Sequence, residues 1–197
     1  MIFYKIFSYI YKRAARSMCL DCKDFIKNGA KILDLGCGSG IAGDYFKKFF
    51  KAEVFGVDVK NNRVVDLPFK KIDGKNLPFD DNSFDAVLIC YVLHHAEDPI
   101  AVLKEARRVG KERIVIYEDM ADGFFSKLFC RFHGLSFDIF FQGFVGKKRE
   151  NPEYFFKGEK EWQGIFKGLG LKVVFEKRIS LPISPVAKRI FILDIVK

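Results

Sequence analysis

The residues best equipped for chemistry begin with Asp34-Leu35-Gly36-Cys37-Gly38-Ser39-Gly40. Glycines at alternate positions let the backbone turn sharply and let a ligand lie against it where a Cβ would intrude. A small polar molecule should therefore bind at this loop. Asp58 follows Gly38 by twenty residues, the place where an acidic side chain accepts from ribose hydroxyls in nucleoside-binding α/β folds. Further along, His94 and His95 bring two imidazoles, and Glu118-Asp119 bring two carboxylates. Histidine is the side chain whose ordinary pKa lies nearest neutrality, and it suits removal of a proton from an acceptor that must lose one. Glu118 suits steering a cationic acceptor or assisting a base, with a capping role as the equal alternative. No base is indicated beside Cys37, so it reads as a small filler within the loop rather than a nucleophile.

Alternating elements must position these groups. Ile2, Ile6 and Ile10 at helical spacing, with Phe3, Phe7 and Tyr11 alongside and Lys12, Arg13 and Arg16 following, predict that the first 27 residues form a helix. It either packs on the domain or lies in a membrane interface. After Asn28-Gly29 a βαβ rhythm sets in, with strand 31–35, helix 41–50, strand 53–58, a short strand 70–73 and the apolar run 84–90 (FDAVLIC) of a doubly buried strand. Asp98-Pro99 reads as an N-cap with Pro in the first turn, helical spacing runs from Ile100 to Val109, and Gly110 falls where a left-handed C-terminal residue belongs. Strand 113–118, helix 159–169 stopped by Gly170, and two strands near 171–178 and 190–196 complete the pattern. No convincing crossover helix separates the last two, so an antiparallel pair at the sheet edge is expected.

The segment from Asp34 to Gly40 resembles the DxGxGxG motif of class I S-adenosylmethionine (SAM) dependent methyltransferases. Gly38, Gly40 and Gly43 also satisfy the dinucleotide pattern GxGxxG. However, the turn should begin at Gly36, where the apolar strand ends, and in that frame the third position is Ile41. Asp34 under the loop also suits a ligand bearing sulfonium and ammonium groups better than a pyrophosphate. The resemblance continues through Asp73-Gly74, similar to the family's adenine-recognising segment, and through LPFDDNSFDAV (77–87) and CYVLHHAEDP (90–99), which look like the small-molecule, methyltransferase type 11-like branch. It implies an α/β fold, a Rossmann-like and mostly parallel seven-stranded sheet with an antiparallel last strand and helices on both faces. SAM would be the cofactor and S-adenosylhomocysteine its product. Cofactor contacts would come from Asp34, Gly36, Cys37, Gly38, Gly40, Asp58, Val59, Asp73, Gly74, Cys90 and Tyr91, with Cys90 acting through its backbone. Catalytic candidates are His95, His94 and Glu118, and the family's more regular position favours His95.

Composition bounds the rest. A chain of 197 residues, 49% hydrophobic and 30% charged, is one soluble-type domain rather than a disordered or collagen-like chain. A net charge of +9 attracts anions. Five scattered cysteines predict no disulfide framework and fit a reducing cytoplasm. Cys19-x-x-Cys22 lacks a second ligand pair, so no metal is expected. Region 120–152 is an insertion crowded with Phe and interleaved with Lys and Arg, a candidate substrate lid. These features favour a methyltransferase acting on a small, apolar or lipid-like acceptor, with peripheral association to an anionic membrane as a second expectation. The alternatives are a tRNA or other RNA methyltransferase, which the charge suits, and a SAM-binding regulatory protein that has lost catalysis.

Overall fold

In a computed structural model the described residues are 8–122, 128, 130, 156–179 and 186–196. Seven strands form a single sheet: β1 (Lys31–Leu35), β2 (Glu53–Asp58), β3 (Phe69–Lys71), β4 (Phe84–Cys90), β5 (Gly110–Met120), β6 (Leu171–Ile179) and β7 (Ala187–Ile195). Their spatial order is β3-β2-β1-β4-β5-β7-β6. Neighbours from β3 to β5 pair in parallel, and β7 runs antiparallel to both β5 and β6. β6 is thus the edge, as expected of a pair with no crossover helix between its members.

Helices α1 (Ser8–Asp21), α2 (Ile41–Phe49), α3 (Pro99–Val109) and α4 (Glu159–Gly168) flank the sheet. The period-two alternation of each strand divides the core between them. On one face Leu33, Val87, Ile114, Ile116 and Phe191 pack with Leu103 and Ala106 of α3 and Trp162 and Phe166 of α4. On the other, Ile32, Leu88, Val115, Tyr117 and Ile192 pack with Met18 and Cys19 of α1 and Phe46 of α2. Cys19 and Cys22 are buried free thiols in that second layer, and burial pushes both up to about 12. They serve as small hydrophobes there, with the Cys22 Sγ 3.8 Å from the Tyr117 hydroxyl.

Three local expectations need correction. The first helix ends at Asp21, and turns carry the chain to β1; residues 1–7 lie outside the described residues. The third strand is Phe69–Lys71, so Asp73 sits in the following loop. Gly110 is not left-handed: its φ of −80° and ψ of 143° make it the first residue of β5. Glycine is needed there for space, because a Cβ would stand 2.7 Å from Ile195 Cδ1 and 2.8 Å from the Ala106 carbonyl oxygen. Gly170, by contrast, is left-handed with φ +66° and stops α4 as the sequence implies. The Phe-rich insertion lies outside the described residues except for 120–122, 128 and 130.

Candidate functional site

The order of strands places β1 between β2 and β4, so the chain leaves the sheet in opposite directions on either side of β1. A crevice outside the carboxyl ends of the strands at such a switch point is where open α/β sheets bind ligands. The glycine loop leads from that end of β1 into α2. Gly36, Gly38 and Gly40 all have positive φ, at 73°, 50° and 76°, which only glycine adopts without strain. Gly36 is also crowded, since a Cβ would fall 2.4 Å from Val92 in the segment after β4. At Gly38 a Cβ would meet nothing within 4 Å. The loop is therefore pressed against the β4 exit on one side and left bare on the other.

Two acids frame it. Asp58, at the end of β2, accepts from the Gly38 N–H through Oδ2 at 2.9 Å and from the Lys60 N–H through Oδ1 at 3.1 Å. An ionised carboxylate has about four acceptor positions, so its oxygens retain capacity for ligand hydroxyls. Asp34 is 1% exposed, and its Oδ2 makes no hydrogen bond. Burial pushes its pKa up to about 7; the Gly43 backbone opposes that rise and the negative charge of Asp58 adds to it. Gly43 is small for this reason, because a Cβ there would lie 2.6 Å from Asp34 Oδ2 and 3.0 Å from Leu67. Cys37 is buried against Gly56, and desolvation raises its thiol pKa, consistent with a filler.

On the far side of Asp58, Val59 is 42% exposed and lies beside Gly74, which has φ +82°. Asp73 is exposed and accepts from the Lys75 and Asn76 N–H groups at 2.8 and 3.2 Å; these bonds lower its pKa. Arg108 of α3 anchors the next stretch by donating to the Leu77 and Phe79 carbonyls and pairing with Asp81 and Glu105.

A second cluster closes the crevice over β4 and β5. Tyr91 takes a left-handed φ of 58°, and its N–H donates to the Tyr117 carbonyl at 2.7 Å. The chain then forms a short 3-10 turn, Leu93–His95. His94 is buried, and its Nδ1 is hydrogen-bonded to Oε1 of the equally buried Glu118. Glu118 is itself fixed by the Leu93 N–H on Oε2 and the Asp119 N–H on Oε1, both at 2.9 Å. Burial pulls the His94 pKa down, but the charge and hydrogen bond of Glu118, with Asp119 behind it, outweigh burial and leave it raised. His95 is half-buried, its ring centroid 4.0 Å from that of His94. His95 holds the family's more regular position, and His94 is the imidazole bonded to Glu118. Cys90 is half-buried at the end of β4.

Two members of this cluster escaped the sequence reading. Lys188 on β7 pairs with Asp119 at 2.5 Å and sits 4.6 Å over the Tyr91 ring, while Phe156 stacks on His94 at 4.8 Å. The antiparallel register that sets Lys188 opposite Asp119 was the one available signal; Phe156 had none. A cavity of about 980 Å³ opens elsewhere, at the amino ends of β1, β2 and β4 among Lys31, Phe55, Phe79 and Arg108. Arg108 there is already committed to the loop contacts described above, and the His94–Glu118 pair lies on the opposite rim.

Residues 33–116 match the family described as methyltransferase domain. Cycloartenol-C-24-methyltransferase 1 of Oryza sativa subsp. japonica is 36% identical over 108 residues, covering 47% of this chain and 31% of that protein. The chain thus spans less than a third of the rice protein's length. Demethylmenaquinone methyltransferase of Bacillus subtilis is 33% identical over 177 residues, 76% of this chain and 74% of that one. Among solved structures, a SAM-dependent methyltransferase from Methanosarcina mazei has a TM-score of 0.62 at 20% identity, covering 87% of this chain and 95% of its own. At that identity the likeness is one of fold. The Bacillus subtilis relative carries identity across most of both chains, and on that ground the chain belongs to the methyltransferase-domain family of SAM-dependent, class I fold.

Proposed function

We propose that this chain transfers the sulfonium methyl of SAM to an ionisable O–H or C–H group on a small, lipid-like acceptor, with His94 as the base and Glu118 as its positioning partner. The observation that carries this reading is the buried His94–Glu118 pair at the carboxyl rim, beside the switch point where a cofactor would lie. The residues present suit SAM. Gly38 leaves room for a ligand against the backbone, Asp58 offers acceptors for ribose hydroxyls, Asp34 supplies a buried oxygen with no hydrogen bond, and Val59 and Gly74 supply a flat, partly apolar wall. When bound, the cofactor supplies a methyl group already activated by positive sulfur.

The protein's own task is to hold the acceptor in line, exclude water and take one proton. With Nδ1 engaged by Glu118, Nε2 of His94 is the nitrogen that would take the acceptor's proton during methyl transfer. Glu118, held by two backbone N–H groups, stabilises the resulting imidazolium. An apolar acceptor is favoured because relatives include methyltransferases named for demethylmenaquinone and cycloartenol, and because Phe156 and Tyr91 face this cluster. Incubating the protein with methyl-labelled SAM and a cell extract, then separating lipid, RNA and protein, should place the label in lipid. Label confined to RNA or protein, or no incorporation in any fraction, would refute the assignment.

A further inference from the structure

Among the described residues, the second half of α1 and the turns after it are tied to the sheet by named polar contacts. Near β1, the Phe25 carbonyl accepts from Arg113 and Lys27 pairs with Glu112, at the amino end of β5. Higher up, the Met18 carbonyl accepts from the Tyr117 hydroxyl and Asp21 pairs with Lys177. Asp21 and Met18, the two anchors that belong to α1 itself, meet Lys177 and Tyr117, which share one level of the sheet through Ile190.

The buried side of α1 is Ala15, Met18 and Cys19, continued by Cys22. The opposite stripe, at helical spacing, is Tyr9, Arg13, Arg16 and Leu20, all exposed, with exposed Lys12 and Ile10 on its flanks. Tyr9, Ile10 and Leu20 are 72%, 61% and 50% exposed. No acidic residue occurs from Ser8 to Leu20. Three cations without an acid, set among three large exposed apolar side chains, match the chemistry of an anionic bilayer surface. There the rings and aliphatics enter the headgroup boundary while the long basic stems reach the phosphates.

We infer that the outward face of α1 docks this protein on anionic lipid, the surface from which a lipid-like acceptor would come. This rests on the proposed acceptor class, but it concerns a surface separate from the cofactor loop. No helix among the described residues is long and apolar enough to cross a membrane, so attachment is at the interface.

The test is co-sedimentation of the full chain with vesicles of phosphatidylcholine alone and of phosphatidylcholine mixed with phosphatidylglycerol, alongside calorimetric SAM binding on the same preparation. Binding to the anionic vesicles should exceed binding to the neutral ones by more than about tenfold, and Arg13→Glu with Arg16→Glu should remove that excess. Leu20→Ser should weaken binding further where salt has already screened the charges. In all variants SAM affinity should stay at the wild-type value, which shows the fold intact. Equal partition onto both vesicles, anionic binding untouched by the two reversals, or salt-steep binding to single-stranded RNA with none to vesicles would overturn the docking face. Loss of SAM binding in the wild type would instead overturn the methyltransferase reading, whatever the vesicles show.

Discussion

Asp34 has a buried oxygen with no hydrogen bond, and its carboxyl is shifted from an ordinary 3.8 to about 7. An acid raised by folding is held protonated in the native state over that interval, so the native state binds more protons than the unfolded chain and stability falls as pH climbs from about 4 to about 7. Asp34→Asn should flatten that decline in thermal melts of the ligand-free protein; an unchanged slope would show that Asp34 titrates normally. His94 is shifted in the same direction for another reason, the carboxylate of Glu118 against its Nδ1. A base must be neutral to act, so turnover should rise as pH passes through the elevated His94 value. Glu118→Gln removes the charge that elevates it, so the rising limb of the kcat profile should move to lower pH, with a smaller plateau. A limb that stays in place would mean that His94 does not set it.

Among the elements, the parts legible in sequence were those where one residue type answers to one local demand. The glycine loop announced itself because a positive φ at Gly36, Gly38 and Gly40 can be met cheaply by no other residue. Asp98-Pro99 announced α3 because the Asp98 carboxylate caps the Ile100 and Ala101 N–H groups at 3.0 and 2.9 Å. Gly110 misled because a helix-ending glycine has two physical origins, a left-handed φ or a lack of space, and sequence alone does not separate them. The His94–Glu118 pair was half legible: both residues stood out, but which imidazole meets the carboxylate depends on the 3-10 turn after Tyr91. Lys188 was hidden because its partner Asp119 is far away in sequence and meets it only through the β5–β7 register. Packing between elements also makes Gly43 informative. Gly43→Ala would gain about 1 kcal/mol of helix propensity, yet its methyl group would press on Asp34 and Leu67. The net result should be a loss of about 1 to 3 kcal/mol in denaturant unfolding, and a stabilised variant would show that the Asp34 pocket yields easily.

For the molecule as a whole, the strand order brings the two acids, the bare glycine and the histidine cluster to one rim, although they come from three separate segments: Asp34 with Gly38, Asp58, and His94. The sheet could be anticipated from the βαβ rhythm, and the site followed from where that sheet changes direction. That arrangement depends on the loop holding SAM, and Asp58 is the residue through which the test is sharpest. Calorimetric titration of SAM should show one site per chain, and Asp58→Ala should weaken it by more than about tenfold through loss of charge-assisted hydrogen bonds. Unchanged affinity in that variant, or heat from a pyridine dinucleotide with none from SAM, would contradict the account.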